Sequence, residues 1–438
     1  MIRGCFPSLR EQLNELSDHR KRRDYEIAEL VVGAIAMFLF REASRNALNM
    51  DRREEIFRNN YYKMFRMRLS HMDTTEDVLR RMPPEELDKL KATLVKELIE
   101  KKMFHKFKLL GKYYMIAIDG TGTNTFDKDD INGSRLHKTS KNGVITYYQY
   151  VLEAKLITGN KMAISMASEW VCNDATEQQG ANFNKQDCEQ KAFVRLAVKL
   201  KKYFPRLPIC ILADGLYPNQ TFMKACQDNG WEYVVVFKDS SLKKLQEEIK
   251  DTENKKKRSL EYSHLSDNGL TLTQRKYEWI TEALTYSGFN LNWLSCIETI
   301  TKYDKDKIIL SVSVPARFVT LTSLKVDQTN VRAIAQGGRF RWKIENEGFN
   351  IQKNQGYNLE HKYSRNSFEC YKNYYQCLQI AHMINQLAEH SQDTTEFVKR
   401  NKLTIKHLHK NLICMIKTSC IKNEDIKHPA HFQIRLAG

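Results

Sequence analysis

The run Tyr113-Tyr114-Met115-Ile116-Ala117-Ile118-Asp119 is where the sequence changes character. Upstream of it, apolar residues recur at helical spacing, as in Ile27, Leu30, Val31, Ala34, Ile35 and Phe38. From Tyr113 onward they form a short aromatic and β-branched block, which suits a pleated strand. The block closes on Asp119, with Gly120-Thr121-Gly122 after it, so the expected strand ends at the aspartate. A single aspartate there reads as a turn former or helix cap. The downstream strands give it a second meaning.

A polar segment comes next, with Asp127, Asp129, Asp130 and the pair His137-Lys138. Strands are expected at 145–157 and 162–171, joined by the turn Thr158-Gly159-Asn160-Lys161. Helical spacing resumes over 186–204. Pro205 and Pro208 end that helix and launch a strand over 209–214. A helix at 219–229 and a strand at 233–237 complete the alternation. Three strands, helix, strand, helix, strand is an order similar to a ribonuclease-H-like mixed sheet, whose first and fourth strands lie side by side. Asp119 and Asp214 then sit at carboxyl strand ends, where open α/β sheets place their sites.

The stretch Gly337-Gly338-Arg339-Phe340-Arg341-Trp342-Lys343-Ile344-Glu345-Asn346-Glu347-Gly348-Phe349-Asn350 lies on a helix expected over 331–350. Arg341 and Glu345, four apart, share a face and can pair. Trp342 and Phe349, seven apart, are expected to line a buried stripe. A surface ion pair has the same spacing; the two upstream aspartates give this one its interest. Before the helix, residues 241–330 read as a β-rich insertion, with Lys255-Lys256-Lys257-Arg258 as a charged tip and β-rich runs at 271–279, 291–301 and 308–314. Another amphipathic helix is expected over 368–389.

Magnesium prefers oxygen ligands and keeps several waters, so two or three carboxylates suffice to hold it. Two such ions can activate an attacking oxygen and stabilise a leaving one at phosphorus. Asp119, Asp214 and Glu345 meet that need if the strands and helix converge. Three motifs carry a resemblance. They are Ala117-Ile118-Asp119-Gly120-Thr121; Lys185-Gln186-Asp187-Cys188-Glu189 with Asp214-Gly215-Leu216-Tyr217; and Arg341 to Asn350 followed by Lys353-Asn354-Gln355-Gly356-Tyr357 and Leu359-Glu360-His361. In this order they resemble a DDE-type insertion-sequence transposase, over about residues 113–387.

The resemblance implies a ribonuclease-H-like catalytic core with a β-strand insertion, and Asp119, Asp214 and Glu345 as catalytic metal ligands. It implies Mg2+ (or Mn2+), two ions, and metal-dependent cleavage of element ends followed by strand transfer. The partner is double-stranded DNA, at transposon ends and target, with a homodimer on paired ends. The family's Tyr-(two)-Arg-(three)-Glu-(six)-Lys signature is met by Arg341 and Glu345. Gly338 stands at the tyrosine and Gln352 at the lysine, with Lys353 one place late. Glu347 is the rival third ligand; the pairing with Arg341 favours Glu345. Arg341, Lys353, His137 and Lys138 are expected DNA or phosphate contacts. Trp279 and Trp293 either stack on an unpaired base or pack a sheet. Glu169 and Glu189 read as structural. A nuclease that cuts without joining, and a DNA-binding protein without catalysis, remain rivals.

Composition agrees with a polyanion partner. Across 438 residues, 70 Lys+Arg oppose 53 Asp+Glu, a net charge of +17. Basic residues cluster at His19-Arg20-Lys21-Arg22-Arg23, Arg52-Arg53 and 66–68, so 1–110 reads as a helical DNA-binding region. The expected units are then 111–240 and 331–392 for the core, 241–330 for the insertion and 393–438 for a basic tail. Ten scattered cysteines without a Cys-x-x-Cys pair point to reduced thiols. No run is apolar and long enough to cross a bilayer, and no signal peptide is evident, so a cytoplasmic location in a bacterial or archaeal cell is expected.

Overall fold

The computed structural model describes residues 2–130, 134–173, 186–238, 240–426 and 434–437. Lys185 of the second motif lies outside these, as do 427–433 of the tail. Among the described residues, eleven strands join into one mixed sheet. They are β1 (Tyr114–Phe126), β2 (Leu136–Thr139), β3 (Ile145–Ile157), β4 (Ala163–Val171), β5 (Ile209–Ala213), β6 (Glu232–Val236), β7 (Arg258–Leu265), β8 (Thr271–Tyr286), β9 (Phe289–Tyr303), β10 (Ile309–Val312) and β11 (Ala316–Thr322). β1 runs antiparallel to β3 and parallel to β5, and β5 runs parallel to β6. The first expected strand and the fourth therefore are neighbours.

Two expectations fail in detail. β1 does not stop at Asp119; it continues to Phe126, held by pairing with β3 as far as Phe126↔Tyr147. Only the β5 side ends early, at Ala117↔Leu212. The short β2 is unexpected, because Leu136 is its one buried residue and leaves no alternation to read.

Period-two alternation sorts the central strands into two faces. Tyr114, Ile116 and Ile118 join Ile209, Ile211 and Ala213 in one apolar cluster. Met115 and Ala117 join Cys210 and Leu212 in another, with Ile334, Ile344 and Phe349 packed over them. Asp119 and Asp214 continue the second series.

The insertion does not form a separate sheet. β11 pairs with β6 on one side and with β9 on the other, so β7–β11 extend the core sheet. Lys255 to Arg258 spans the junction where the helix Lys243–Lys256 ends and β7 begins at Arg258. Tyr277, Trp279, Leu294 and Cys296 turn inward over the helix Val331–Arg339. Trp279 and Trp293 are both buried at 2% exposure, which makes them packing residues.

Around the sheet, the helix Ile27–Leu39 is buried along its whole length and packs on Phe368–Glu389. The latter helix begins and ends where its spacing predicts, with Ser367 as N-cap. The helix Pro84–Glu100 reaches β4 through Lys91, whose Nζ donates to Ser168 Oγ at 2.7 Å. The C-terminal helix Ile405–Thr418 lies on Glu55–Phe65, where Asn60 Nδ2 donates to the Ile416 and Ser419 carbonyls. All ten cysteines are free. Among the described residues, no helix is long and apolar enough to cross a membrane.

Candidate active site

The expected helix over 331–350 is a composite. It is α-helical over Val331–Arg339, a 3₁₀ turn over Phe340–Trp342, π-helical over Ile344–Asn350, and α-helical again over Ile351–Asn354. π turns carry a surplus residue and recur at functional sites. Here the wide turn fits over β3. Gly348 lies against the Lys155 side chain, where an added Cβ would stand 3.3 Å from Cδ. Lys155 is fully buried; its Nζ donates to Gln379 Oε1 at 2.8 Å and lies 3.7 Å from Glu153. Burial pushes that ammonium down to about 8.

Arg341 ties the site together. It is 5% exposed, and its Nη1 lies 3.3 Å from Asp119 Oδ2 and 3.2 Å from Glu345 Oε1. The four-residue pairing expected from the sequence is present, and the same guanidinium reaches the strand. Burial pushes the Asp119 carboxyl up to about 7; Arg341 opposes that shift and the Glu345 carboxylate adds to it. Asp119 Oδ1 accepts from the Gly120 amide at 2.9 Å. Asp214, one residue past β5, accepts from the Leu216 amide at 2.8 Å and so closes the strand-end turn.

Asp214 and Glu345 share the lining of a cavity of about 580 Å³. Lys238, Arg317, Arg339 and Arg341 line it too, so cations outnumber carboxylates on its walls. Arg339 is held by Glu298 at 2.8 and 3.0 Å. Trp342 corrects the buried-stripe expectation: it is 51% exposed and lines the cavity, with Arg341 Cζ 4.7 Å from the ring centre. The 3₁₀ and π turns change the angle between positions 342 and 349, and only Phe349 stays buried.

The wall beside Asp119 brings Glu189 and Tyr217 of the second motif together with Tyr150 of β3. Glu189, at the start of the Glu189–Tyr203 helix, accepts from the Tyr150 and Tyr217 hydroxyls. Tyr150 lies so close over Gly120 that a Cβ there would sit 2.4 Å from its ring. Glu169 pairs with Arg195 and Lys199, a structural role.

Gly338 has a packing reason. A Cβ at that position would stand 2.9 Å from Val234 Cγ1, so no tyrosine fits. The lysine register has one as well. In an unbroken α-helix the residue seven after Glu345 returns to its face. That residue, Gln352, is fully buried and bonds to Gln379 and His382. The π turn's surplus residue hands the outward place to Lys353, whose Nζ pairs with Glu360 at 2.8 Å.

Not every expected contact gathers at the carboxylates. His137 and Lys138 are exposed on β2, which pairs with the far end of β3, and the His137 ring lies near Tyr147. Glu347 points elsewhere than Glu345; burial raises its carboxyl, with Lys343 opposing. Among the described residues, no three carboxylate, histidine or cysteine side chains converge tightly enough to hold a metal ion as they stand. The Arg341 guanidinium lies between two of the carboxylates.

No protein-family model matches the chain, and no curated protein matches it. Among solved structures, the chain is similar to a piggyBac transposase in a cryo-EM synaptic complex with hairpin DNA. The TM-score is 0.39 and the identity 11%, over 96% of this chain and 77% of that one. A likeness so slight leaves the functional reading to rest on the chain's own residues.

Proposed function

We propose that the chain is a DDE-type DNA transposase whose ribonuclease-H-like core cuts at element ends and joins the freed 3′ hydroxyl to target DNA. One arrangement carries the reading. Asp119 and Asp214 continue the same face of two paired parallel strands, and the segment crossing that face presents Glu345 to a guanidinium shared with Asp119.

The donor set is all oxygen, which fits a hard divalent cation. Asp119 supports the fit: burial and a neighbouring carboxylate hold its proton on, and a cation relieves that crowding. Asp119, Asp214 and Glu345 would hold Mg2+ or Mn2+, two ions in this reading. When bound, these supply activation of the attacking oxygen and charge stabilisation at the leaving one.

The chain's own residues do the rest. Arg341 keeps Asp119 and Glu345 in register across the strand and helix. Lys238, Arg317 and Arg339 give the phosphodiester a cationic wall. Trp342 offers an exposed ring at the cavity for a base to stack on. The helical region 1–110 and the tail 393–438 would add DNA contacts, with a homodimer holding paired ends.

The deciding experiment incubates the protein, Mg2+ and the DNA flanking its gene with a target plasmid. Cleavage and joined products are expected. Cleavage without joining would make it a nuclease, and binding without cleavage a DNA-binding protein.

A further inference from the structure

A second polar cavity, of about 760 Å³, lies between the N-terminal helices and the loop before the Phe368–Glu389 helix. Every residue lining it is polar, and it shares none with the Asp214–Glu345 cavity. Its walls are tied together across a long sequence separation. Ser364 Oγ donates to Glu76 Oε1 at 3.2 Å, Arg45 and Arg80 both pair with Glu76, and Asn358 Nδ2 donates to the Ala43 carbonyl at 3.4 Å. The hollow is therefore built by packing between residues 44–80 and 361–366.

Its charge is not balanced. Glu76 is taken up by Arg45 and Arg80, and Asp73 lies near Arg45 and His71. Arg53, Lys362 and Arg365 also line the cavity, and among the described residues no carboxylate pairs with any of them. Arg53 and Arg365 are exposed, and Lys362 Nζ lies 4.6 Å from the centre of the Phe126 ring.

We propose that this cavity grips the phosphate backbone of duplex DNA, as a second contact on the substrate cut at Asp119; the inference rests on the transposase reading of that site. Guanidinium forks match phosphate oxygens. The all-polar wall offers no apolar pocket of the kind that anchors a protein partner. The spacing suits one duplex. Phe126 ends the strand on which Asp119 lies, and seven residues at about 3.3 Å each, shortened by the irregularity between Gly122 and Thr125, place Lys362 roughly 20 Å from Asp119. That is about six base-pair steps of B-form DNA at ~3.4 Å each. A duplex with its scissile phosphodiester at Asp119 and its axis along β1 would pass over the cavity within one helical turn.

The test uses the full chain and a labelled duplex of arbitrary sequence, since phosphate contacts carry no sequence information. The Arg53→Gln/Arg365→Gln double variant is compared with Lys243→Gln/Lys244→Gln, which removes two exposed charges elsewhere. The first pair is expected to lower the slope of log affinity against log salt by about two and affinity by roughly tenfold or more. The second pair should change both far less. Equal effects of the two pairs, or none from the first, overturn the proposal. A footprint on cut DNA adds a second readout: protection about six base pairs from the cleaved bond should vanish only in the first variant. If the cavity binds duplex but the protein cuts nothing, the cavity stands and the transposase reading falls. If the protein cuts and the first variant binds like wild type, the reading stands and the cavity falls. Absence of duplex binding by the wild type overturns both.

Discussion

Arg341 Nη1 lies 3.3 Å from Asp119 Oδ2, a contact that spans 222 positions of sequence and joins a strand to the segment that crosses it. The same nitrogen is 3.2 Å from Glu345. Removing a buried cation leaves its carboxylate partners facing each other. Arg341→Met should therefore cost about 1–3 kcal/mol in the absence of metal, with Glu345's partial exposure reducing the effect. Mg2+ should restore much of the loss, as thermal melts with and without the ion would show. A variant as stable as wild type in both conditions would remove the brace.

Asp119→Asn and Asp214→Asn retain shape but lose charge. Metal-dependent cleavage should fall by roughly a thousandfold or more in each, while DNA binding persists. Either variant cutting at the wild-type rate would take that residue out of the site.

Glu345 and Glu347 separate cleanly in the structure. Glu345 lines the cavity and meets Arg341, whereas Glu347 Oε2 is buried with no hydrogen-bond partner among the described residues. Glu345→Gln should abolish cutting and Glu347→Gln should leave most of it. The reverse pattern would reassign the third ligand.

Asp119 sets a pH dependence whose sign follows from its raised carboxyl. The folded protein holds that proton up to about pH 7, whereas an ordinary aspartate releases it near 3.8. This contribution to stability is full below 3.8 and is lost as pH rises towards and through 7. Metal-free protein should therefore lose melting temperature between about pH 4 and 7, on the order of a few degrees. Asp119→Asn should flatten that part of the profile, and an unchanged slope in the variant would point to other groups.

Gly338→Ala should destabilise the protein by about 1–3 kcal/mol, since its Cβ meets Val234 across a close approach. Denaturant unfolding would measure it. A neutral result would mean that the helix over 331–339 can move away from β6.

The parts of this molecule that sequence reveals are those with one period. β3, β4 and the 368–389 helix lie at or within a residue of their expected bounds because alternation or helical spacing runs through them without a break. That Asp119 and Asp214 follow one face of two adjacent strands is legible for the same reason, each continuing a clean strand. The site's third side is legible only in part. Arg341 and Glu345 pair as expected, but the change from 3₁₀ to π winding around them depends on Gly348 meeting a lysine from β3, and no local pattern encodes that contact. Trp342 departs from its expected place for this reason. Glu189 and Tyr217 belong to the second motif, but Tyr150 lies in β3 and Lys238 in the segment after β6, and neither stands out in its own neighbourhood.

Val236 and Thr320 are sheet partners, so the chain departs from the core and comes back to it at adjacent positions. Topologically, everything in between is one long hairpin loop. It could lengthen or shorten without rearranging β1, β5 and β6 or moving Asp119 and Asp214. Its cost lies elsewhere: Tyr277, Trp279, Leu294 and Cys296 roof the helix that leads to Glu345. Any shortened replacement would have to supply that roof. The excursion is thus dispensable to connectivity and indispensable to cover, a combination that lets one scaffold tolerate very different lengths at a single graft point.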